Sequence, residues 1–363
     1  MGKTARSKTI YLDYSFDHLF YKDNKHDQWI KFINLKDFYP VLYNNIYQYF
    51  TDKTYNIFKY TILKQHIDLI RKVQSLYRPL VTFLLNGDDF IFNYKELLIK
   101  KNPFEYLTYT ISTFGYRDYY FGFEDNRYSQ RINHIVKNQY FFSGIFTIDE
   151  YHANRHKESN YLYFLPDLYK KFDTFQKNFP LGFEFQLEKL KKFLKKDQAP
   201  IVPILGKLDD RKNPLWVLEA IKYTPEIKAV LIGERIPGEN DDKIDLIIEE
   251  LQTQNRIFFL FEYVPDIFFN LVLDSPNILF LPLPYIAHYG SSGIHLQSLD
   301  HGIPCLVPDN GLMAKRTRNH NLGLIYKHDD FEDFKNKFKI MLKTGRKPFQ
   351  KDICKFMQHF CKE

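Results

Sequence analysis

Residues 284–311 have the sequence PYIAHYGSSGIHLQSLDHGIPCLVPDNG. A loop of small residues at 290–293 leads into a run that can be helical up to Asp300, and an apolar strand follows at 303–307. Another apolar strand precedes the loop, at 278–283. In this order the first amides of the helix are unpaired and lie at the positive end of the helix dipole, so the loop can bind an anion. A plain strand-to-helix turn explains these residues equally well.

Strands and helices alternate through the second half of the chain. Strands are predicted at 201–205, 228–232, 257–261, 278–283, 303–307 and 323–326, with helices between them. Continuous apolar runs of this kind are typical of strands buried on both faces of a parallel sheet. Right-handed crossovers then give a doubly wound, Rossmann-like domain, whose ligands bind beyond the carboxyl ends of the strands.

Three of these strand exits are therefore expected to share one crevice. The first, at 206–212, carries Lys207 and Lys212; the second is 233–234, and the third is the loop at 288–293. The lysines supply positive charge and the last loop supplies amides. Together they suit a diphosphate better than any one of them does alone.

Several neighbours of these exits have simpler interpretations. Arg211 is expected to pair with Asp209, and Asn213 is expected to cap the next helix. His288 and His295 flank the small-residue loop, but the local sequence offers no third ligand for a metal ion. A place on the helix surface is expected of His295.

The first half of the chain has a less regular pattern. Strands are predicted at 9–12, 80–85, 119–123, 141–148 and 161–165, and helices at 39–78 and 94–112. The alternation indicates an α/β layer here as well. Glu124 and Asp125 follow one of these strands, where ligand sites of α/β sheets lie, although a solvated loop explains them too.

A basic amphipathic helix is predicted at 183–198. Its inward-facing side chains would be Phe183, Phe185, Leu187, Leu190, Phe193 and Leu194. Its lysines could then lie against anionic phospholipid. A surface helix before a linker is the alternative, with a hinge at 197–200.

Length, charge and cysteine content limit the function classes. A chain of 363 residues indicates two domains. A formal net charge of +7 is mild for this length, and no dense basic block or known module favours nucleic acid. The 3 cysteines have no paired spacing, which argues against a disulfide framework or a zinc site. With no signal peptide and no long apolar run, a cytoplasmic location is expected.

The second half resembles the donor-binding domain of GT-B glycosyltransferases, especially the family 4 group. Gly206, Lys207 and Lys212 match that family's glycine, basic residue and lysine before a helix. The loop at 290–293 and the strand start at 302–304, Gly-Ile-Pro, match in order and spacing. The resemblance covers roughly residues 140–343, and in the first 140 it is only architectural.

The resemblance implies an α/β fold of two Rossmann-like domains facing across a cleft. The expected segments are an acceptor-side domain at 1–180, a linker helix at 181–200, a nucleotide-sugar donor domain at 201–343 and a carboxyl-terminal helix at 344–363. It also implies a metal-independent transferase without a cofactor, which retains anomeric configuration. The sugar would move from a UDP- or GDP-linked donor to a glycan, lipid-linked or other hydroxyl acceptor, as in polysaccharide biosynthesis. Peripheral contact with the inner membrane face stays open.

Roles for individual residues also follow from the resemblance. The donor diphosphate would contact Lys207, Lys212, Gly290, Ser291, Ser292, Gly293 and Ile294. The nucleotide and sugar would contact Gly206, Glu234, Glu262, Tyr263, Val264, His288, Tyr289 and Gln297. Catalysis is assigned to Lys207 and Lys212, with Glu124, Asp125 and His18 as candidates that activate the acceptor.

One departure from the family leaves other functions open. The family commonly has two glutamates eight positions apart, and Tyr289 and Gln297 stand there in this chain. Gln297 can still hydrogen-bond a hydroxyl but supplies no negative charge. A catalytically degenerate protein that binds nucleotide sugars is therefore an alternative. An NAD-dependent enzyme is a second, although no strand is followed by Gly-x-Gly-x-x-Gly.

Overall fold

The structure is a computed structural model that describes residues 9–13, 30–34, 82–84, 110–114, 144–155, 162–164, 182–286, 288 and 290–360. The chain divides into two compact units, one of Met1–Leu80 with Phe92–Leu107 and one of Val81–Ile91 with Thr108–Glu363. In the first unit, β1 (Thr9–Asp13) and β2 (Ile30–Asn34) pair in parallel. The strand predicted at 9–12 is confirmed, whereas β2 lies where the sequence has no clear periodicity.

The second unit contains a four-stranded parallel sheet. Its strands, in spatial order, are β3 (Thr82–Leu84), β4 (Thr110–Phe114), β5 (Gly144–Thr147) and β6 (Leu162–Phe164). A short helix, α1 (Glu150–Arg155), follows β5. The strands predicted at 80–85, 141–148 and 161–165 are confirmed in shorter form. The predictions at 39–78 and 119–123 lie outside the described residues.

The helix predicted at 94–112 is wrong at its end, because residues 110–112 belong to β4. The strand has the sequence TISTF, and β-branched residues favour a pleated surface. Pairing with β3 on one side and β5 on the other fixes the extended form.

The helix predicted at 183–198 forms as α2 (Glu184–Lys195). Leu187, Leu190 and Leu194 are buried on one face, as predicted. Phe185 was predicted to face inward as well, and this is wrong, since its side chain is 67% exposed. Residues two positions apart on a helix point to nearly opposite sides, so Phe185 cannot share the face of Leu187.

The rest of the unit alternates strands and helices, as predicted. The elements are β7 (Ile201–Leu205), α3 (Pro214–Lys222), β8 (Lys228–Ile232), α4 (Asp241–Thr253), β9 (Ile257–Leu260), α5 (Ile267–Leu273), β10 (Leu281–Pro282), α6 (Gly293–Asp300), β11 (Cys305–Pro308), α7 (Gly311–His320), β12 (Gly323–Tyr326), α8 (Phe331–Thr344) and α9 (Gln350–Phe360). Every residue of β7 and β8 is buried, which fits strands covered on both faces. The boundaries predicted at 180 and 200 stay predictions.

The strand order places a ligand crevice at one point of the sheet. All pairs are parallel, in the orders β9-β8-β7 and β10-β11-β12. A bridge between Ile201 and Ile278 joins β7 to the segment that enters β10. The combined order is that of a doubly wound sheet, and its direction of winding reverses between β7 and β10. Ligands of such sheets bind at this switch point, beyond the carboxyl ends of the strands.

Two glycines allow the neighbouring exits of β7 and β8 to approach each other. Gly206 has a φ of +87° and Gly233 has a φ of +146°. A β-carbon added to Gly233 would lie 2.0 Å from the carbonyl oxygen of Gly206. A side chain at Gly233 would therefore push the two strand exits apart.

Gly233→Ala is expected to lower the free energy of unfolding by about 2 kcal/mol or more, because the added methyl meets backbone and φ is positive. Urea unfolding followed by circular dichroism measures the change. Gly293→Ala is the matched control, since a β-carbon there meets nothing within 4 Å. Equal losses in both variants would show that the approach of the two exits does not limit stability.

Candidate functional site

The exits of β7 and β10 are joined directly to each other at the switch point. The amide of Ile286 donates a hydrogen bond of 2.7 Å to the carbonyl oxygen of Arg211. The guanidinium of Arg211 also lies 5.6 Å from the ring centre of Tyr285. The exit at 206–212 and the loop before α6 therefore form one surface, as the sequence predicts.

Lys212 is a partly buried cation at the end of β7. Its Nζ donates a hydrogen bond of 3.0 Å to the carbonyl oxygen of Leu205. Burial, and then the charge of Arg211, lower the pKa of Lys212 to about 8. Gly206 makes room for this amine, since a β-carbon there would lie 2.6 Å from Nζ. An anion bound at Nζ would offset the cost of burying this charge.

A short 3-10 turn, Asp210–Lys212, carries the two cations Arg211 and Lys212 and sets their direction. The carboxylate of Asp209 caps the turn by accepting from the amide of Lys212 at 3.1 Å. Asn213 was predicted to cap α3, and this is wrong because its side chain makes no capping hydrogen bond. Its φ of 48° lies in the left-handed region, which asparagine tolerates, and so redirects the chain into α3.

Arg211 extends from this turn to the loop before α6. It pairs with Asp209 at 3.6 Å, as expected, and its Nη1 also donates to Nδ1 of His288 at 2.9 Å. The other ring nitrogen, Nε2, then carries the hydrogen and donates to the carbonyl oxygen of Ser291 at 3.0 Å. Burial, followed by the charge of Arg211, lowers the pKa of His288 to about 4, so the ring is neutral at pH 7.

The amino terminus of α6 is left open by its own cap residue. Ser292 occupies the capping position, but its side chain makes no capping hydrogen bond. Instead, its hydroxyl lies 3.3 Å from the hydroxyl of the buried Tyr285. The amides of Gly293, Ile294 and His295 consequently have no side-chain cap within the part of the chain that the structure describes. Such amides at a helix start attract an anion.

The other diphosphate candidates are distributed unevenly around this surface. Lys207 is exposed and forms no ion pair with any described residue. Gly290 and Ser291 are half-buried in the loop, and the side chain of Ile294 is 9% exposed. Ile294 can therefore contact a bound anion only through its backbone amide.

The remaining residues predicted to contact the nucleotide and sugar, apart from Tyr289, follow β8 and β9 or lie on α6. Glu234, Glu262 and Tyr263 are exposed, with Tyr263 71% accessible. Val264 is 5% exposed and belongs to the core, so only its backbone can face a ligand. Gln297 is half-buried on α6. Four candidates lie outside the described residues: His18, Glu124, Asp125 and Tyr289.

His295 does not lie on the helix surface, so that prediction is wrong. Its side chain is fully buried, and neither ring nitrogen has a hydrogen-bond partner among the described residues. Burial, and then the charge of Arg316, lower its pKa to about 3. The sequence around His295 alternates too briefly for its buried face to be recognised, because α6 spans only Gly293–Asp300.

Sequence reasoning also missed a buried cation behind the loop. Arg316 on α7 is fully buried, and its Nη1 donates to the hydroxyl of Ser291 at 3.2 Å. A single arginine within the predicted helix gave no signal, because surface arginines have the same local sequence. Among the described residues, no cluster of three His, Cys, Asp or Glu could hold a metal ion.

The family model that describes glycosyl transferases group 1 matches residues 185–355. This range contains β7 to β12, the joined strand exits and the loop before α6. This part of the chain is similar to the glycosyl transferases group 1 family. Sugar transfer is the reaction class of that family, and the resemblance predicted from the sequence is confirmed. No match was found among curated proteins.

Solved glycosyltransferase structures share the fold over most of the chain. Sucrose-phosphate synthase from Thermosynechococcus elongatus is 14% identical with a TM-score of 0.57, covering 83% of this chain and 74% of its own. HepE from Anabaena, solved with UDP, is 13% identical with a TM-score of 0.55 and coverages of 80% and 77%. A glycosyltransferase from Rickettsia africae is 13% identical with a TM-score of 0.53 and coverages of 91% and 79%. The predicted α/β GT-B fold is confirmed.

The lowered pKa of Lys212 predicts that this residue lowers the stability of the folded protein. Lys212→Met is expected to raise the free energy of unfolding by about 1–2 kcal/mol, because it removes a desolvated charge and keeps an apolar stem. Thermal and urea unfolding at pH 7 measure the change. Lys207→Met, an exposed position without an ion pair, is the matched control and should change little.

The sign of the pH dependence provides a second check on the same variant. Folded Lys212 loses its proton near pH 8, whereas the unfolded side chain keeps it to about pH 10.4. The unfolded state binds more protons in this window, so wild-type stability gains a contribution as pH rises from 8 to 10. Lys212→Met should lack that contribution. A destabilised variant with an unchanged pH profile would contradict the assignment.

Proposed function

We propose that the chain transfers a hexose from a UDP- or GDP-linked donor to a hydroxyl of a glycan or lipid-linked acceptor. The observation that carries the proposal is the junction of the β7 and β10 exits at Ile286 and Arg211. This junction places the exit that carries Arg211 and Lys212 beside the uncapped start of α6, at the switch point of the sheet. UDP is bound in the solved HepE structure, which shares this fold.

The chemistry follows from the charge that the leaving group acquires. Breaking the anomeric C–O bond leaves negative charge on the departing nucleoside diphosphate. Lys212 and Arg211 can stabilise this charge, with the exposed Lys207 as a further cation and the α6 amides as fixed donors. Since Lys212 has no carboxylate partner among the described residues, its positive charge is available to the ligand. A divalent metal is not required in this scheme, and no cofactor takes part.

Roles for the remaining candidates are proposed from their positions. The exposed Glu234, Glu262 and Tyr263 would contact the nucleoside from the exits of β8 and β9. Gln297 would hydrogen-bond the ribose or sugar. His288, whose pKa is lowered by burial and then by the charge of Arg211, would present its neutral ring beside the sugar hydroxyls. Glu124 and Asp125 are proposed on the acceptor side, and retention of configuration is proposed from the family.

A catalytically degenerate binding protein is the second candidate function. The observation behind it is the amide of Gln297 on α6, where the family commonly has a glutamate. Such a protein would bind a nucleotide sugar at the same surface and leave its glycosidic bond intact.

The proposal is tested by thermal shift with UDP, GDP and NAD, followed by hydrolysis of UDP- and GDP-sugars without acceptor. Stabilisation by UDP or GDP is expected, together with slow hydrolysis that persists in EDTA. Lys212→Ala should reduce kcat/KM by about 10²–10³-fold, as does removal of a donor that stabilises transition-state charge. Stabilisation by NAD alone, or unchanged nucleotide affinity in Lys207→Ala and Lys212→Ala, would refute the proposal. Binding without hydrolysis would favour the degenerate protein.

Peripheral membrane contact at the cytoplasmic side is proposed for α2. Phe185 is 67% exposed on this helix, and Nζ of Lys189 lies 4.2 Å from its ring centre. Lys192 and Lys195 are exposed nearby. Among the described residues, no helix is long and apolar enough to cross a membrane.

Sedimentation with vesicles tests this contact. The chain should sediment with vesicles rich in phosphatidylglycerol but not with pure phosphatidylcholine, and less so at high salt. Phe185→Ser should weaken sedimentation by several-fold. Tyr223→Ser, which replaces another exposed aromatic residue outside α2, is the matched control. Equal binding to both vesicle types would contradict an anionic membrane contact.

A further inference from the structure

Arg316 connects the segment after β5 to the loop that begins α6. Its Nε and Nη2 donate to the two carboxylate oxygens of Glu150 at 3.0 and 2.7 Å. Nη2 also donates to the carbonyl oxygen of Ile148 at 3.0 Å, and Nη1 donates to Oγ of Ser291 at 3.2 Å. One guanidinium therefore holds the end of the four-stranded sheet and the candidate diphosphate loop at once.

The geometry around Arg316 leaves the guanidinium little freedom. The side chain is fully buried, and the ring centre of Phe360 on α9 lies 5.0 Å from its Cζ. Glu150 lies in the first turn of α1, where the helix dipole favours a negative charge. A bidentate pair fixes the plane of the guanidinium as well as its position. Because the charge of Arg316 is met by Glu150, the arginine acts through its geometry rather than as a free cation.

The contact with Arg316 fixes how the hydroxyl of Ser291 can be used. A hydroxyl has one hydrogen to donate and lone pairs that accept. Oγ of Ser291 accepts from Nη1 of Arg316, and no described residue accepts the hydrogen of that hydroxyl. This hydrogen is therefore free for a ligand. Ser292 differs, since its hydroxyl is paired with Tyr285.

We infer that Arg316 is a positioning residue that aims the Ser291 hydroxyl at the donor diphosphate, and that Glu150 holds Arg316 in place. The inference rests on the proposed function, because it needs a nucleoside diphosphate at the loop. Its consequence is that a side chain after β5, outside the donor-binding sheet, sets the affinity of that sheet for phosphate.

A purely structural role for the pair would be to dock α1 on α7. Tyr151 makes that contact independently of Arg316. Its hydroxyl accepts from Nδ2 of Asn319 at 3.1 Å, and Nζ of Lys315 lies 3.9 Å from its ring centre. Tyr151→Phe weakens the docking and leaves Arg316, Glu150 and Ser291 intact. It is therefore the matched control.

The test is isothermal titration of the full chain with UDP and with uridine. The affinity for UDP should fall about 10-fold in each of Glu150→Gln, Arg316→Lys and Ser291→Ala. This is the effect expected from losing one hydrogen bond to a charged group. Uridine affinity should change less than about 2-fold, since it lacks the phosphates. The double variant Arg316→Lys/Ser291→Ala should lose little more affinity for UDP than Ser291→Ala alone, because both changes remove the same contact. Tyr151→Phe should leave UDP affinity unchanged.

Three results would overturn the inference. One is an equal loss of affinity for UDP and for uridine. A second is the same loss of UDP affinity in Tyr151→Phe. The third is that the losses of UDP affinity in Arg316→Lys and Ser291→Ala add in the double variant. Lys212→Ala separates this inference from the proposed function. If Lys212→Ala weakens the binding of UDP and Arg316→Lys does not, the inference alone fails. If the wild-type protein binds neither UDP nor GDP, both the inference and the proposed function are refuted. Glu150→Gln keeps the shape of the pair, so the inference stays testable if Arg316→Lys does not fold.

Discussion

The hydrogen bond from the amide of Ile286 to the carbonyl of Arg211 ties together the two strand exits at the switch point of the sheet. Without it, the cations after β7 and the amides at the start of α6 would lie on two loops that are not joined. Its position follows from the strand order, because β7 and β10 are neighbours in the sheet although they are far apart in the chain. Gly206 and Gly233 permit the exits of β7 and β8 to approach each other, since side chains there would meet an amine and a backbone carbonyl.

Around this junction, the protein holds polar groups in states that an anion would stabilise. Burial lowers the pKa of Lys212, and the side chain of Ser292 does not cap the first amides of α6. Each of these is a cost in the unliganded protein. A diphosphate would offset both together, which is how a preorganised site favours developing negative charge.

The buried pair of Arg316 and Glu150 shows a different use of charge. Here a cation is neutralised within the protein, so it adds rigidity to the loop rather than attraction for the ligand. A buried pair of this kind is weak evidence for stability, because desolvation opposes the attraction. Its value lies in the fixed direction of Nη1 towards Ser291. The candidate site therefore combines Lys212, which has no carboxylate partner among the described residues, with a paired arginine that supports the loop.

The sequence by itself determined the alternation of strands and helices from Ile201 onwards, because continuous apolar runs between glycine and proline turns leave few other folds. It also determined that Lys212 and the loop at 290–293 leave the same edge of the sheet. It could not place His295 or Arg316. The helix α6 is too short for a clear period, and the partner of Arg316 is distant in the chain. The contacts of Arg211 with His288 and of Arg316 with Glu150 join residues far apart in sequence. Only tertiary structure decides such pairs, because local pattern carries no information about which side chains the strand order brings within hydrogen-bond distance.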